Sequence, residues 1–197
     1  VADTDAAEAL RTGPLTDLRD PAPIVEGATV FEGAVFDVNR ETARFAGTTM
    51  VREYSTHHGA VAVLPIDDDG RVLLINQYRH PVRSRLWEIP AGLLDVEGEE
   101  PLAAAQRELA EETDLVADHW SEPLAFFSSP GQSDEHVTLF EARGLHPAPE
   151  VHARIHEEAE IVLRWVSLDE ALEAVRAGRL GNAILLIALL AADARRR

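Results

Sequence analysis

The stretch from Pro90 to Leu115, PAGLLDVEGEEPLAAAQRELAEETDL, constrains the fold more than any other part of the chain. It follows a short strand-like run, RLWEIPAG, that proline and glycine stop. A polar loop comes next, and Pro101 then opens a segment with alanine and leucine at helical spacing. Proline suits the first helical position, where an N–H would have no partner inside the helix. On that helix Glu108, Glu111 and Glu112 converge, because positions three and four apart share a face. Like charges so placed repel by a few tenths of a kcal/mol per pair. Divalent cations turn that cost into binding, since hard ions such as Mg2+ prefer carboxylate oxygen. An acidic helix is more often a solvated face, so the helix alone leaves both readings open.

The remaining chain predicts an α/β sandwich with a mixed sheet between helices. HGAVAVLPI and RVLLINQY are β-branched runs joined by DDDG, a hairpin signal, because Asp-Gly supplies the positive φ of tight turns. PLAFF, HVTLFEA and IVLRWVS are three more strand candidates. Ser167 is placed to cap LDEALEAVRAG, which Gly178 ends, and Asn182 to cap AILLIALLAADA. Residues 1–27 are polar and proline-containing without sustained periodicity, and are expected as a flexible arm. Residues 28–54 hold two alternating stretches, TVFEGAVFDV and TTMVREYS, around the turn-prone NRETARFAG. They are expected as a small N-terminal sheet that mediates dimerisation, ahead of one domain over 55–197.

Composition narrows the function. With 18 Lys plus Arg against 35 Asp plus Glu, the net charge of −17 speaks against nucleic acid and anionic membranes as partners. Cysteine is absent, so a metal must sit on oxygen or imidazole, and a cytoplasmic location is the expectation. No signal peptide is read at the N-terminus. The longest apolar run, Ala183 to Ala192, is half of the roughly 20 residues that a membrane span needs.

The context of the acidic helix resembles the Nudix box, G-x5-E-x7-R-E-U-x-E-E-x-G-U, with U aliphatic. Gly92, Glu99, Arg107, Glu108, Leu109, Glu111, Glu112 and Leu115 match it. Two departures stand out. Six residues instead of five separate Gly92 from Glu99, which leaves the helix in register, and Asp114 replaces a glycine suited to a left-handed helix end. The resemblance runs from about Gly33 to Ala192. Pro130, in SSPGQSDE, lies sixteen positions after the final glycine position of the box, a spacing similar to the ADP-ribose pyrophosphatase branch. GAVFDV, VREYSTHHGAVAVLP, QYRHP and RLWEIPAGLLDVEGE look similar to the actinobacterial, dimeric enzymes of that branch.

This resemblance implies a Nudix α/β/α sandwich that hydrolyses ADP-ribose to AMP and ribose 5-phosphate with Mg2+ or Mn2+, as a homodimer. It makes Glu108 and Glu112 the main metal carboxylates, Glu111 and Glu99 auxiliary ones, and the carbonyl of Ala91 a further ligand. Arg107 would orient a carboxylate. Glu157 matches the general base, with Glu158 and Glu160 as neighbours able to take over. Arg52 and Arg79 match contacts to nucleotide and diphosphate, with Arg83 and Arg85 as further cations. Phe36 matches an aromatic that stacks on adenine, and Pro130 and Gly131 sit in a loop suited to a compact sugar. Read without the resemblance, Glu99 is also a helix N-terminal charge, Arg107 a surface ion pair and Phe36 a half-buried strand residue. Two rivals remain: a hydrolase of another nucleoside diphosphate sugar, and a sensor that binds ADP-ribose without cutting it. The intact Arg107, Glu108, Glu111 and Glu112 argue against the sensor.

Overall fold

Asp69-Gly70 turns the chain as expected. In the computed structural model, which describes residues 11–150 and 160–196, Gly70 lies at φ 75° and its N–H donates to the Asp67 carbonyl. The two strands it joins, β4 (Ala60–Pro65) and β5 (Arg71–Arg79), nevertheless part after a single bridge at Ile66 and Val72. They enter different sheets. Both edges of β4 are already taken, by β7 (Ala91–Leu93) and by β10 (His136–Pro147), and all six of its residues are buried. A strand buried on both faces reads as a continuous apolar run rather than an alternating one.

Two units make up the chain. The larger comprises His58–Ser128 and Glu135–Arg197. It holds a mixed sheet of order β7-β4-β10-β8, where β8 is Leu115–Trp120 and β9, Leu124–Phe127, pairs separately with β10. The β4–β10 pair is parallel and the others are antiparallel. A second sheet of order β11-β5-β6 uses β6 (Ser84–Glu88) and β11 (Val162–Ser167). Its described residues also form three α-helices: α1 (Pro101–Thr113), α2 (Leu168–Arg176) and α3 (Ala183–Arg195).

Alternation along β4 builds the layers. Val61 and Val63 pack with Ala104, Ala105 and Leu109 of α1, whereas Ala60, Ala62 and Leu64 face a second core that includes Leu185 and Leu189 of α3. The sheet thus lies between helices, the expected α/β/α arrangement. Pro101 occupies the start of α1; the Ser167 hydroxyl and the Asn182 side chain accept the Glu170 and Leu185 N–H groups, capping α2 and α3. Among the described residues no helix is long and apolar enough to cross a membrane.

The smaller unit comprises the chain up to His57 with Ser129–Asp134. Its antiparallel sheet, of order β1-β2-β3, uses β1 (Ile24–Phe31), β2 (Asp37–Phe45) and β3 (Thr48–Thr56). β1 begins at Ile24, inside the segment read as an arm, because Ile24 and Glu26 pair with Ala43 and Thr42 of β2. NRETARF is strand rather than turn. The reversal falls on Ala46-Gly47, at φ 50° and 78°, the paired positive values of a two-residue hairpin loop.

Candidate active site

Gly92 explains how the helix meets the sheet. A Cβ at that position would stand 2.0 Å from Cδ of Glu108, so only glycine lets the carboxylate lie against β7. One residue earlier, the Ala91 N–H donates to Oε2 of Glu112 at 3.0 Å, and Glu112 is only 7% exposed. Strand β7 therefore holds Glu112 through its backbone and leaves room for Glu108, one turn earlier on α1, beside Gly92.

Arg107 gathers the others. Its Nε and Nη2 donate to the two oxygens of Glu99 at 3.2 and 3.0 Å, while Nη1 reaches Glu108 at 2.5 Å and Glu111 at 3.2 Å. One guanidinium thus fixes three acids of the motif, a stronger arrangement than a lone surface pair. The hydrogen bond from Arg107 holds the Glu99 carboxyl below the usual carboxylate range. In return, Glu99 first and then Glu108 push the guanidinium above its already high value. The six-residue spacing before Glu99 leaves it within reach of Arg107.

The donor set fits a hard divalent cation. Glu108, Glu111 and Glu112 offer only carboxylate oxygen, and the glycine cradle brings Glu108 to the strand that carries Ala91. Among the described residues no three His, Asp or Glu side chains stand in a ligating group. The acids are held instead by Arg107 and the Ala91 N–H.

A cavity of about 410 Å³ adjoins β7, lined among others by Arg79, Glu88, Ile89, Ala91, Gly92 and Glu135. Arg79 reaches it from the end of β5 and pairs with Glu88 of β6. Glu88, 3% exposed, was not singled out in the sequence; a carboxylate between Trp87 and Ile89 in a strand was the available signal. Glu135 closes the loop after β9 by accepting from the Ser128 hydroxyl.

Four other expected residues belong to the smaller unit. Phe36, 43% exposed, stacks on His57 with ring centroids 5.5 Å apart, and Arg52 lies on β3 with Nη1 donating to the Val51 carbonyl. Both belong to the smaller unit, as do Pro130 and Gly131, whose loop pairs with β3 through Ser55 N–H to Gln132 O at 2.9 Å. Glu157 and Glu158 lie outside the described residues. Glu160 pairs with Arg85, and Arg83 ends the 3₁₀ turn after β5 at φ 50°.

The chain is similar to known proteins. A family model described as NUDIX domain matches residues 56–185. The chain is 41% identical over 173 residues to the ADP-ribose pyrophosphatase of Mycobacterium tuberculosis (strain ATCC 25618 / H37Rv), covering 86% of this chain and 82% of that one. It is 38% identical over 147 residues to the ADP-ribose pyrophosphatase of Bacillus subtilis (strain 168), covering 74% and 78%. A solved structure titled as an ADP compounds hydrolase superposes with a TM-score of 0.74 at 23% identity, over 89% of this chain and 94% of that one. At that identity the likeness concerns the fold.

Proposed function

Because the chain belongs to the NUDIX family and is a Nudix hydrolase, we propose that its substrate is ADP-ribose, cut by water at the diphosphate to give AMP and ribose 5-phosphate. The observation that carries this reading is the set of acids on α1, with Glu108 cradled by Gly92 and bound, like Glu99 and Glu111, by Arg107. The two pyrophosphatase relatives support the choice of substrate.

Glu108 and Glu112, with Glu111 and Glu99 as auxiliaries and the Ala91 carbonyl, would hold Mg2+ or Mn2+, which supplies charge neutralisation at the diphosphate. Arg107 keeps the carboxylates oriented before substrate arrives, so their placement costs nothing during the reaction. Arg79, on the cavity wall, faces the diphosphate, and the local cation offsets the repulsion of an anion by an acidic chain. Glu157 takes a proton from the attacking water as general base. Phe36 and Arg52 contact adenine, and the loop of Pro130 and Gly131 offers hydroxyls and backbone amides to the terminal ribose. The enzyme works as a homodimer in the cytoplasm.

Turnover of ADP-ribose, ADP-glucose, GDP-mannose and ATP at one Mg2+ concentration tests the reading. kcat/KM for ADP-ribose should exceed the others, since a site that hydrogen-bonds sugar hydroxyls leaves buried polar groups unpaired with the wrong substrate. Values within about threefold, worth roughly 0.6 kcal/mol, would indicate a broad diphosphatase. A preference for GDP-mannose would indicate the nucleotide-sugar rival, and ADP-ribose binding without turnover the sensor.

A further inference from the structure

Glu88 is a buried carboxylate for which the reading above has no task. It lies on β6 two positions from Leu86, the partner of Gln77 on β5, so Gln77, Arg79, Leu86 and Glu88 share one face of the sheet. Arg79 binds it with a two-point fork, Nε to Oε1 at 3.0 Å and Nη2 to Oε2 at 2.8 Å. Gln77, 8% exposed, adds its amide N–H to Oε2 at 3.3 Å. Both carboxylate oxygens are thus committed, on a side chain only 3% exposed.

Burying an acid is costly, and a buried ion pair gains little stability over apolar residues of the same shape. The geometry gives it another use. A two-point fork fixes the plane and direction of a guanidinium as a single contact does not. Arg79 keeps 46% of its side chain exposed while lining the cavity beside Ala91 and Gly92. We infer that Glu88, steadied by Gln77, is a positioning residue that locks the Arg79 guanidinium onto the cavity wall for diphosphate recognition. It acts through Arg79 and touches no reacting atom. The inference rests on the reading of Arg79 as the diphosphate contact.

The test is a double-mutant cycle of Arg79→Ala and Glu88→Gln, with two readouts: kcat and KM for ADP-ribose, and the Kd of ADP by calorimetry at fixed Mg2+. Glu88→Gln keeps the shape of the side chain but removes the charge that holds the fork. It should raise KM and the Kd of ADP about tenfold each and change kcat little. In the Arg79→Ala background the same substitution should change either constant by less than about twofold, because the group it positions is gone. Independent, multiplying losses would overturn the inference, as would a Glu88→Gln variant that binds ADP like the wild type. An Arg79→Ala variant with unchanged ADP affinity overturns it through its premise. A wild-type protein that turns over no ADP-ribose defeats the proposed function alone, since the ADP titrations still decide the role of Glu88. If Glu88→Gln does not fold, Gln77→Leu, which removes only the supporting amide, runs the same cycle with a smaller expected loss.

Discussion

A side chain at Gly92 would displace the Glu108 carboxylate, since a Cβ there would also stand 2.0 Å from Oε1 of Glu108. Gly92→Ala should therefore push the carboxylate about 1 Å or more from its place while α1 still packs through Ala104, Ala105 and Leu109. Displacements of that size cost about 10²-fold in rate, so turnover should fall by that order and half-saturation should need more Mg2+. A Mg2+ titration of turnover checks this beside Glu108→Gln, and an unchanged half-saturation in both variants would contradict the assignment. Glu99 carries a different signature, in pH. Its carboxyl is held low by Arg107, so the pair stabilises the fold fully above the ordinary carboxylate range and loses that contribution as pH falls through the lowered value. Glu99→Gln should thus lower Tm at neutral pH, and the gap to wild type should close as the solution is acidified. Melting curves between pH 7 and pH 3 read this directly; a gap that widens toward acid would reverse the sign and exclude the pair as its cause.

Helix α1 shows how far an element is legible before its partners are known. Its start was set by Pro101 and its acidic face by the spacing of Glu108, Glu111 and Glu112, both local properties. Its end was also readable: Asp114 adopts φ 56° and ψ 31°, the left-handed cap for which the motif uses glycine, and its N–H donates to the Ala110 carbonyl. A non-glycine residue there stores strain that outweighs the extra chain freedom of glycine, so Asp114→Gly should raise stability by roughly 1 kcal/mol. Thermal or urea unfolding measures it, and a loss of stability would show that the Asp114 side chain contributes more than its backbone costs. Elements defined by a partner were not legible. β8, LVADHW, lacks a clean alternation, and the run HVTLFEA would stop β10 at Ala142; β8 and the continuation of β10 pair with each other, from Ala142↔Trp120 to Pro147↔Leu115. β10 passes Gly144, at φ 65°, where a Cβ would meet Asp118 at 3.1 Å. The same limit hid Glu88, because a carboxylate in a strand gains its meaning only when the register brings Arg79 and Gln77 to the same face.

At the scale of the whole molecule, the sheet β1-β2-β3 poses a problem of burial. Every residue of β1 is exposed, and Ile24, Val25, Val30, Phe31, Phe45 and Val51 are each about half exposed or more. Neither of the two buried apolar clusters draws a residue from this sheet, and three strands gain independent stability only by burying an apolar face. Scattered exposed apolar residues are ordinary, but six large ones on a three-stranded sheet favour an association surface. A second copy of the chain is the partner we propose for this surface, and a two-fold interface would let one set of substitutions act twice. Phe31→Glu combined with Val51→Glu places four charges in such an interface, two from each subunit, and should convert a dimer into monomers on light scattering. Because Phe36 and Arg52 lie on the same unit and are left unchanged, any accompanying loss of turnover would come from the lost assembly rather than from deleted contacts. Full activity in a stable monomer would separate the sheet's association from catalysis, and a wild-type chain that scatters as a monomer at micromolar concentration would remove the dimer altogether.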